Sequence, residues 1–152
     1  MQWTPHITVA TIVEDDGRFL MVEEIDQDNT VFNQPAGHLE DNESLAEAAL
    51  RETLEETGWH VTLTGFLGVY HYRSPEGETY IRHCFTAVPL RHDSERPLDD
   101  GIIAAHWLTQ DAINAAGFPV RSIAVRKVLQ DFHQRQPLPL DVIYHLDERN
   151  HV

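Results

Sequence analysis

Positive charge is scarce in this chain. Its 152 residues include eleven Lys or Arg against twenty-five Asp or Glu, a formal net charge of -14 with histidine neutral. Lys127 is the sole lysine. Nucleic acids are held mainly by Lys and Arg neutralising phosphates, so no nucleic-acid partner is expected and RNA end-processing is disfavoured. A phosphate-bearing ligand would need a cationic field from something other than side chains. Cysteine is nearly absent as well: Cys84 stands alone, no intrachain disulfide can form, and a reducing, cytoplasmic setting is expected. No apolar run nears the roughly 20 residues a spanning helix requires, so no membrane partner is expected. The N-terminal "MQWTPHITVA" lacks a charged segment followed by an apolar one, and no secretory leader is expected. Repeats, low-complexity tracts and long linkers are missing, and the length suits one domain over residues 1–152.

What is present is a core-forming composition: 41% of residues are hydrophobic, with aromatics in both halves. "HITVATIV" and "FLMVEEI" read as strands around Asp16-Gly17, a strong hairpin signal. "VTLTGFLGVYHYR" and "TYIRHCFTAVPLR" form a second pair joined by "SPEG". The acidic loop "HDSERPLDDG" leads to a strand, "IIAAHWL", a short helix over Gln110 to Ala116, and a longer one over Val120 to Gln134. The tail "PLPLDVIYHL" reads as extended because of its prolines.

The best helix runs from Ser44 to Thr57. Ser44 and Glu47 form a capping box, and Gly58 suits a left-handed stop. At about 100° per residue, Leu45, Ala48 and Ala49 share a stripe with Glu52, Glu55 and Glu56. Leu50 and Leu54 lie opposite, so cover on more than one face is expected. Three carboxylates on one stripe repel by about 0.2–0.5 kcal/mol per pair. A solvated acidic face is the plain explanation, yet such a face alternates in sign, and here only Arg51 intervenes. Hard divalent cations take oxygen ligands, and Mg²⁺ bridges carboxylates to phosphates. A bound cation would offset the repulsion.

These residues carry a resemblance. "GHLEDNESLAEAALRETLEETGW" resembles the Nudix box G-x5-E-x7-R-E-U-x-E-E-x-G-U, with Gly37, Glu43, Arg51, Glu52, Glu55, Glu56 and Gly58 on its fixed positions. Thr53 and Trp59 depart from the bulky aliphatic positions U. The order of elements outside the box is similar too, so the resemblance covers nearly the whole chain. It implies an α+β fold, an α/β/α sandwich with a mixed β-sheet packed between helices. It implies hydrolysis of a nucleoside diphosphate linked to another group, or of a related small pyrophosphate, using Mg²⁺ or Mn²⁺. By resemblance Glu52, Glu55, Glu56 and the Gly37 carbonyl are metal ligands, Arg51 holds a box glutamate, and Glu43 supports. The general base is either a box glutamate, Glu55 or Glu56, or a loop carboxylate, Glu95, Asp99 or Asp100.

Other candidates are weighed on chemistry. Asp26 and Asp28 hint at a calcium loop, but Val31 stands where glycine is needed, so a plain loop is expected. The histidines lack close metal-ligand spacing, and Cys84 reads as a buried small hydrophobe. Gln34 is expected near the cleft. Phe32 and Tyr72 could stack on a substrate ring, and Arg18 and Arg82 could reach phosphates, although core packing and solvation compete for each. Within the family, the segments "PHITVATIV", "FLMVEE" and "PLPLDVI" look most like a compact bacterial phosphatase type. That type acts on nucleoside di- and triphosphates and on thiamine-pyrimidine pyrophosphate. An ADP-ribose or nucleotide-sugar pyrophosphatase is the alternative, since Pro75 falls near, though not at, the position such members use. A non-catalytic nucleotide sensor is the other, disfavoured by the intact box. A small-molecule pyrophosphate is the expected partner, in a monomer or homodimer.

Overall fold

The structure is a computed structural model and describes residues 2–150. Strand β1 (His6–Asp15) and β2 (Arg18–Asp26) meet at Asp16 and Gly17, both at positive φ (52° and 77°), the backbone a tight primed turn needs. A second hairpin follows where a loop is expected. Gln27 and Asp28 also take positive φ (49° and 68°), and β3 (Asn29–Asn33) pairs back with β2. Neither turn residue is glycine, so the local signal was weak and sheet pairing overrides it. β4 (Ala36–His38) pairs antiparallel with β1, placing Gly37 opposite Val9.

Helix α1 (Leu45–Thr57) begins and ends as its sequence predicts. The Ser44 side chain accepts from the Glu47 N–H at 3.1 Å, and Glu47 accepts from the Ser44 N–H at 2.9 Å. Gly58, at φ 76°, donates to the Leu54 carbonyl at 2.9 Å. β5 (Trp59–Arg73) and β6 (Thr79–His92) are antiparallel, β6 runs parallel to β1, and β7 (Ile102–Thr109) pairs with β2. The strand order is β3-β2-β1-β6-β5, with β4 on β1 and β7 on β2.

Helix α2 spans Gln110–Asn114 and α3 spans Ile123–Gln134. α3 starts later than its sequence suggests, because Ser122 caps it through the Ala124 N–H, while Val120 forms a bridge with Phe32. The tail is extended at Leu138, which exchanges two 2.8 Å backbone bonds with Phe66, then winds into a 3-10 turn at Leu140–Val142.

The mixed sheet lies between helices, as expected. On one face Ala48 and Ala49 of α1 pack on Val9, Phe66 and Phe85. On the other, Val125, Val128 and Leu129 of α3 cover Ala10, Ile12, Met21, Leu67 and Cys84. Each fully buried Val, Ile, Leu, Phe or Met among them contributes about 1.5–3 kcal/mol, and each alanine methyl about 0.8 kcal/mol. Cys84 is buried, as its strand context suggests. Leu50 is exposed, so α1 is covered on its Ala48–Thr53–Glu56 side and not on the Leu50 side. Thr53, where the box pattern wants an aliphatic residue, is fully buried. Its hydroxyl meets that of Thr11 at 2.7 Å and the Ala49 carbonyl at 2.7 Å. Trp59, the other departure, stacks on His92 and packs edge-on against Trp107.

Candidate active site

The last two turns of α1 carry Arg51, Glu52, Glu55 and Glu56 toward β4 and the acidic loop. Arg51 is the hub. Its Nε and Nη2 donate to the Glu43 carboxylate at 2.9 and 2.7 Å. Nη1 donates to Glu52 at 2.7 Å and to Glu55 at 3.2 Å, and Nη2 also reaches the His38 carbonyl at 3.1 Å. The bond to Glu55 fits the i, i+4 spacing, but the bidentate partner is Glu43. That pairing raises the guanidinium above its ordinary value and lowers Glu43 below the usual carboxylate range.

The acidic loop docks by its backbone. Asp93 N–H donates to the Gly58 carbonyl at 2.8 Å, and Asp99 N–H donates to the Glu55 carbonyl at 3.0 Å, partnering a carbonyl that α1 cannot satisfy internally. Ile25 N–H in turn donates to Gly101 at 3.0 Å, pinning the loop to β2. One carboxylate oxygen each from Glu52, Glu55 and Asp99 lies within 4.8 Å of the others. Gly37 floors this group: a methyl there would overlap the Glu52 carboxylate. The donor set, three carboxylates beside a glycine backbone, fits a hard dication.

Glu56, expected beside Glu52 and Glu55 as a ligand, accepts from the Ala36 N–H at 2.9 Å through one oxygen and is 8% exposed. Burial pushes its carboxyl up to about 9 against the pull of that bond, with Glu24 adding to the rise. Burial raises Glu52 as well, opposed by Arg51. Asp99 joins the group, whereas Asp100 and Glu95 are exposed and outside it.

Gln34, expected near the cleft, is buried at 1% exposure. It donates to the Val125 carbonyl at 2.9 Å and accepts from Arg82 at 2.8 Å. Arg82 is itself 3% exposed and also donates to Asn33, so it lies beneath the sheet surface and not among solvent-borne phosphates. Arg18 is exposed at the Asp16-Gly17 hairpin, the opposite end of β2 from Glu24. Phe32 packs against Phe118 and His106. Tyr72 is half-buried and stacks on Tyr80, which stacks on His6. A groove of about 1050 Å³ lined by His6, His38, Glu40 and Asp147 borders the start of α1 and meets the Arg51 hub through His38, Glu40 and Glu43. Sequence reasoning missed Glu24, Asn33 and Arg121, which join into one bonded chain; no local motif marks them.

Known proteins resemble this chain in sequence and fold. A profile of the NUDIX domain family matches residues 4–132. "Phosphatase NudJ" of Escherichia coli (strain K12) is 34% identical over 139 residues, covering 91% of this chain and 90% of that protein. A NUDIX hydrolase from Nitrosomonas europaea superposes with a TM-score of 0.92 at 38% identity, over 95% of this chain and 99% of its own. An ADP-ribose pyrophosphatase from Streptococcus suis shares the fold alone, with a TM-score of 0.65 at 13% identity, over 89% of this chain and 96% of its own.

Proposed function

This chain belongs to the NUDIX family and is a hydrolase of phosphoric anhydrides; we propose that it is a Mg²⁺- or Mn²⁺-dependent pyrophosphohydrolase of small substrates. The substrate class is nucleoside di- and triphosphates or related pyrophosphates such as that of the thiamine pyrimidine, handled by one domain over the whole chain in the cytoplasm. The observation that carries this reading is the convergence of Glu52, Glu55 and Asp99 oxygens within 4.8 Å beside Gly37. Similarity to a protein named as a phosphatase, over nine-tenths of both chains, supports the substrate class.

Glu52, Glu55, Asp99 and the Gly37 carbonyl would hold the dication. A cation there would neutralise phosphate charge and lower the pKa of a water. Arg51 locks Glu52 and Glu55 in one arrangement by tying both to Glu43. A general base must stand within hydrogen-bond reach of the attacking water. Among the loop candidates Asp99 alone joins the carboxylate group, so it is the loop residue suited to take that proton; Glu55 and Glu56 are the candidates within the helix.

The test is phosphate release from a panel of nucleoside di- and triphosphates, ADP-ribose and thiamine-pyrimidine pyrophosphate, with Mg²⁺ and with EDTA. Metal-dependent release from the first or last class is expected. Turnover confined to ADP-ribose would select the alternative substrate, and no turnover on any of them would favour a nucleotide sensor.

A further inference from the structure

A second arginine is linked to the site through Glu24, whose charge acts on Glu56. Arg121 lies in the connection between α2 and α3, and its N–H donates to the Phe32 carbonyl at 2.8 Å, which sets it beside β3. Its Nη1 donates to Glu24 Oε1 at 2.7 Å, and its Nε lies 3.4 Å from Asp26 Oδ2. Glu24 precedes Ile25, whose N–H bonds Gly101, two residues from Asp99. Glu24 is thus one residue along β2 from the position that holds the loop completing the site.

The other arginines near the cleft are engaged or out of reach of solvent: the Nε of Arg82 has no partner but is fully buried. Arg51 is spent on Glu43, Glu52, Glu55 and His38, and Arg82 is buried against Asn33 and Gln34. Arg121 keeps a side chain 40% exposed. Tyr80 lies close enough for its phenol to interact with the Arg121 charge, and its ring stacks on His6 at 4.5 Å and Tyr72 at 5.2 Å.

We propose that Arg121 is a substrate-binding residue that takes a phosphate oxygen of the nucleotide, releasing Asp26 and sharing or releasing Glu24. The proposal rests on the pyrophosphohydrolase reading above. It supplies the side-chain cation that an anionic substrate needs in a chain this acidic. Glu24 keeps the Asn33 amide at 3.4 Å when Arg121 turns away. An arginine is suited to this exchange because its planar fork matches carboxylate and phosphate alike.

The experiment compares wild type, Arg121→Gln, Arg121→Lys, Glu24→Gln and the double variant Glu24→Gln/Arg121→Gln. It measures KM for the nucleotide turned over fastest, Kd for β,γ-imido-ATP, and Mn²⁺ affinity by electron paramagnetic resonance. Arg121→Gln is expected to raise KM and Kd roughly tenfold or more, the loss of one charge-assisted bond, with Mn²⁺ affinity unchanged. Arg121→Lys should recover part of that loss, and Glu24→Gln should raise neither constant. The double variant should stay as weak as Arg121→Gln. Unchanged KM and Kd in Arg121→Gln would overturn the proposal, as would wild-type values in the double variant, since Arg121 would then serve only to neutralise Glu24. A parallel fall in Mn²⁺ affinity would also overturn it. Absence of wild-type turnover would refute the hydrolase reading alone, because the β,γ-imido-ATP constants still decide the role of Arg121.

Discussion

The backbone N–H of Asp99 bonds the carbonyl of Glu55 at 3.0 Å, so a loop residue is anchored to the same helical turn that carries its two carboxylate neighbours. Glu55 thereby serves the site twice, through its side chain and through its carbonyl. The docking makes the acidic loop part of the helix end instead of a free solvated turn.

That anchoring separates two adjacent aspartates. Asp99→Asn should lower kcat by at least about a hundredfold, the scale of a lost general base, and weaken Mn²⁺ binding as one of the proposed ligands. Asp100→Asn should stay within about twofold of wild type, because Asp100 is exposed and outside the carboxylate group. Equal rates for both variants would return the base to the helix.

Gly37→Ala probes the floor of the site. The added methyl would strike the Glu52 carboxylate, so either that side chain or β4 must shift. Activity and Mn²⁺ affinity should fall by an order of magnitude or more, since small misplacements in a reacting geometry can cost about a hundredfold. Thermal unfolding should shift little by comparison. A fully active Gly37→Ala would show that Glu52 is not held against this backbone during turnover.

Glu56 predicts the pH dependence of the metal-free protein. Its folded value of about 9 lies above the ordinary glutamate value of 4.5. A group raised in this way contributes stability that is complete below the lower value and is lost as pH climbs through the higher one. In EDTA, resistance to urea should therefore fall between about pH 5 and pH 9, by on the order of a few kcal/mol. Glu56→Gln should flatten that slope and, if the carboxylate serves the reaction, cut kcat by orders of magnitude. Identical slopes for the two proteins would show that Glu56 is not the titrating group.

Much of this was legible along the chain because the signals are local. The capping box at Ser44 and Glu47, the stop at Gly58 and the Asp16-Gly17 turn each act within a few residues, and the structure has all three. The spacing of Glu52, Glu55 and Glu56 identified the helical stripe, but spacing cannot say which carboxylate a neighbouring strand will claim. The Ala36 N–H takes Glu56, and Asp99 stands with the other two. The burial of Gln34 was not legible for a similar reason: its partners, Val125 and Arg82, are 91 and 48 residues away. The Glu24–Arg121 pair, 97 residues apart, has no sequence signature at all.

The buried hydroxyl pair of Thr11 and Thr53 bears on how this sequence can drift. Replacing Thr53 by valine would strand the Thr11 hydroxyl in a dry interior, at a cost of about 1–3 kcal/mol, whereas Thr53 keeps the Ala49 carbonyl if Thr11 is lost. A return of position 53 to the aliphatic residue of the box pattern thus requires a matching change at position 11. The dependence runs one way, and descendants of this chain should lose the hydroxyl at 11 before or together with that at 53.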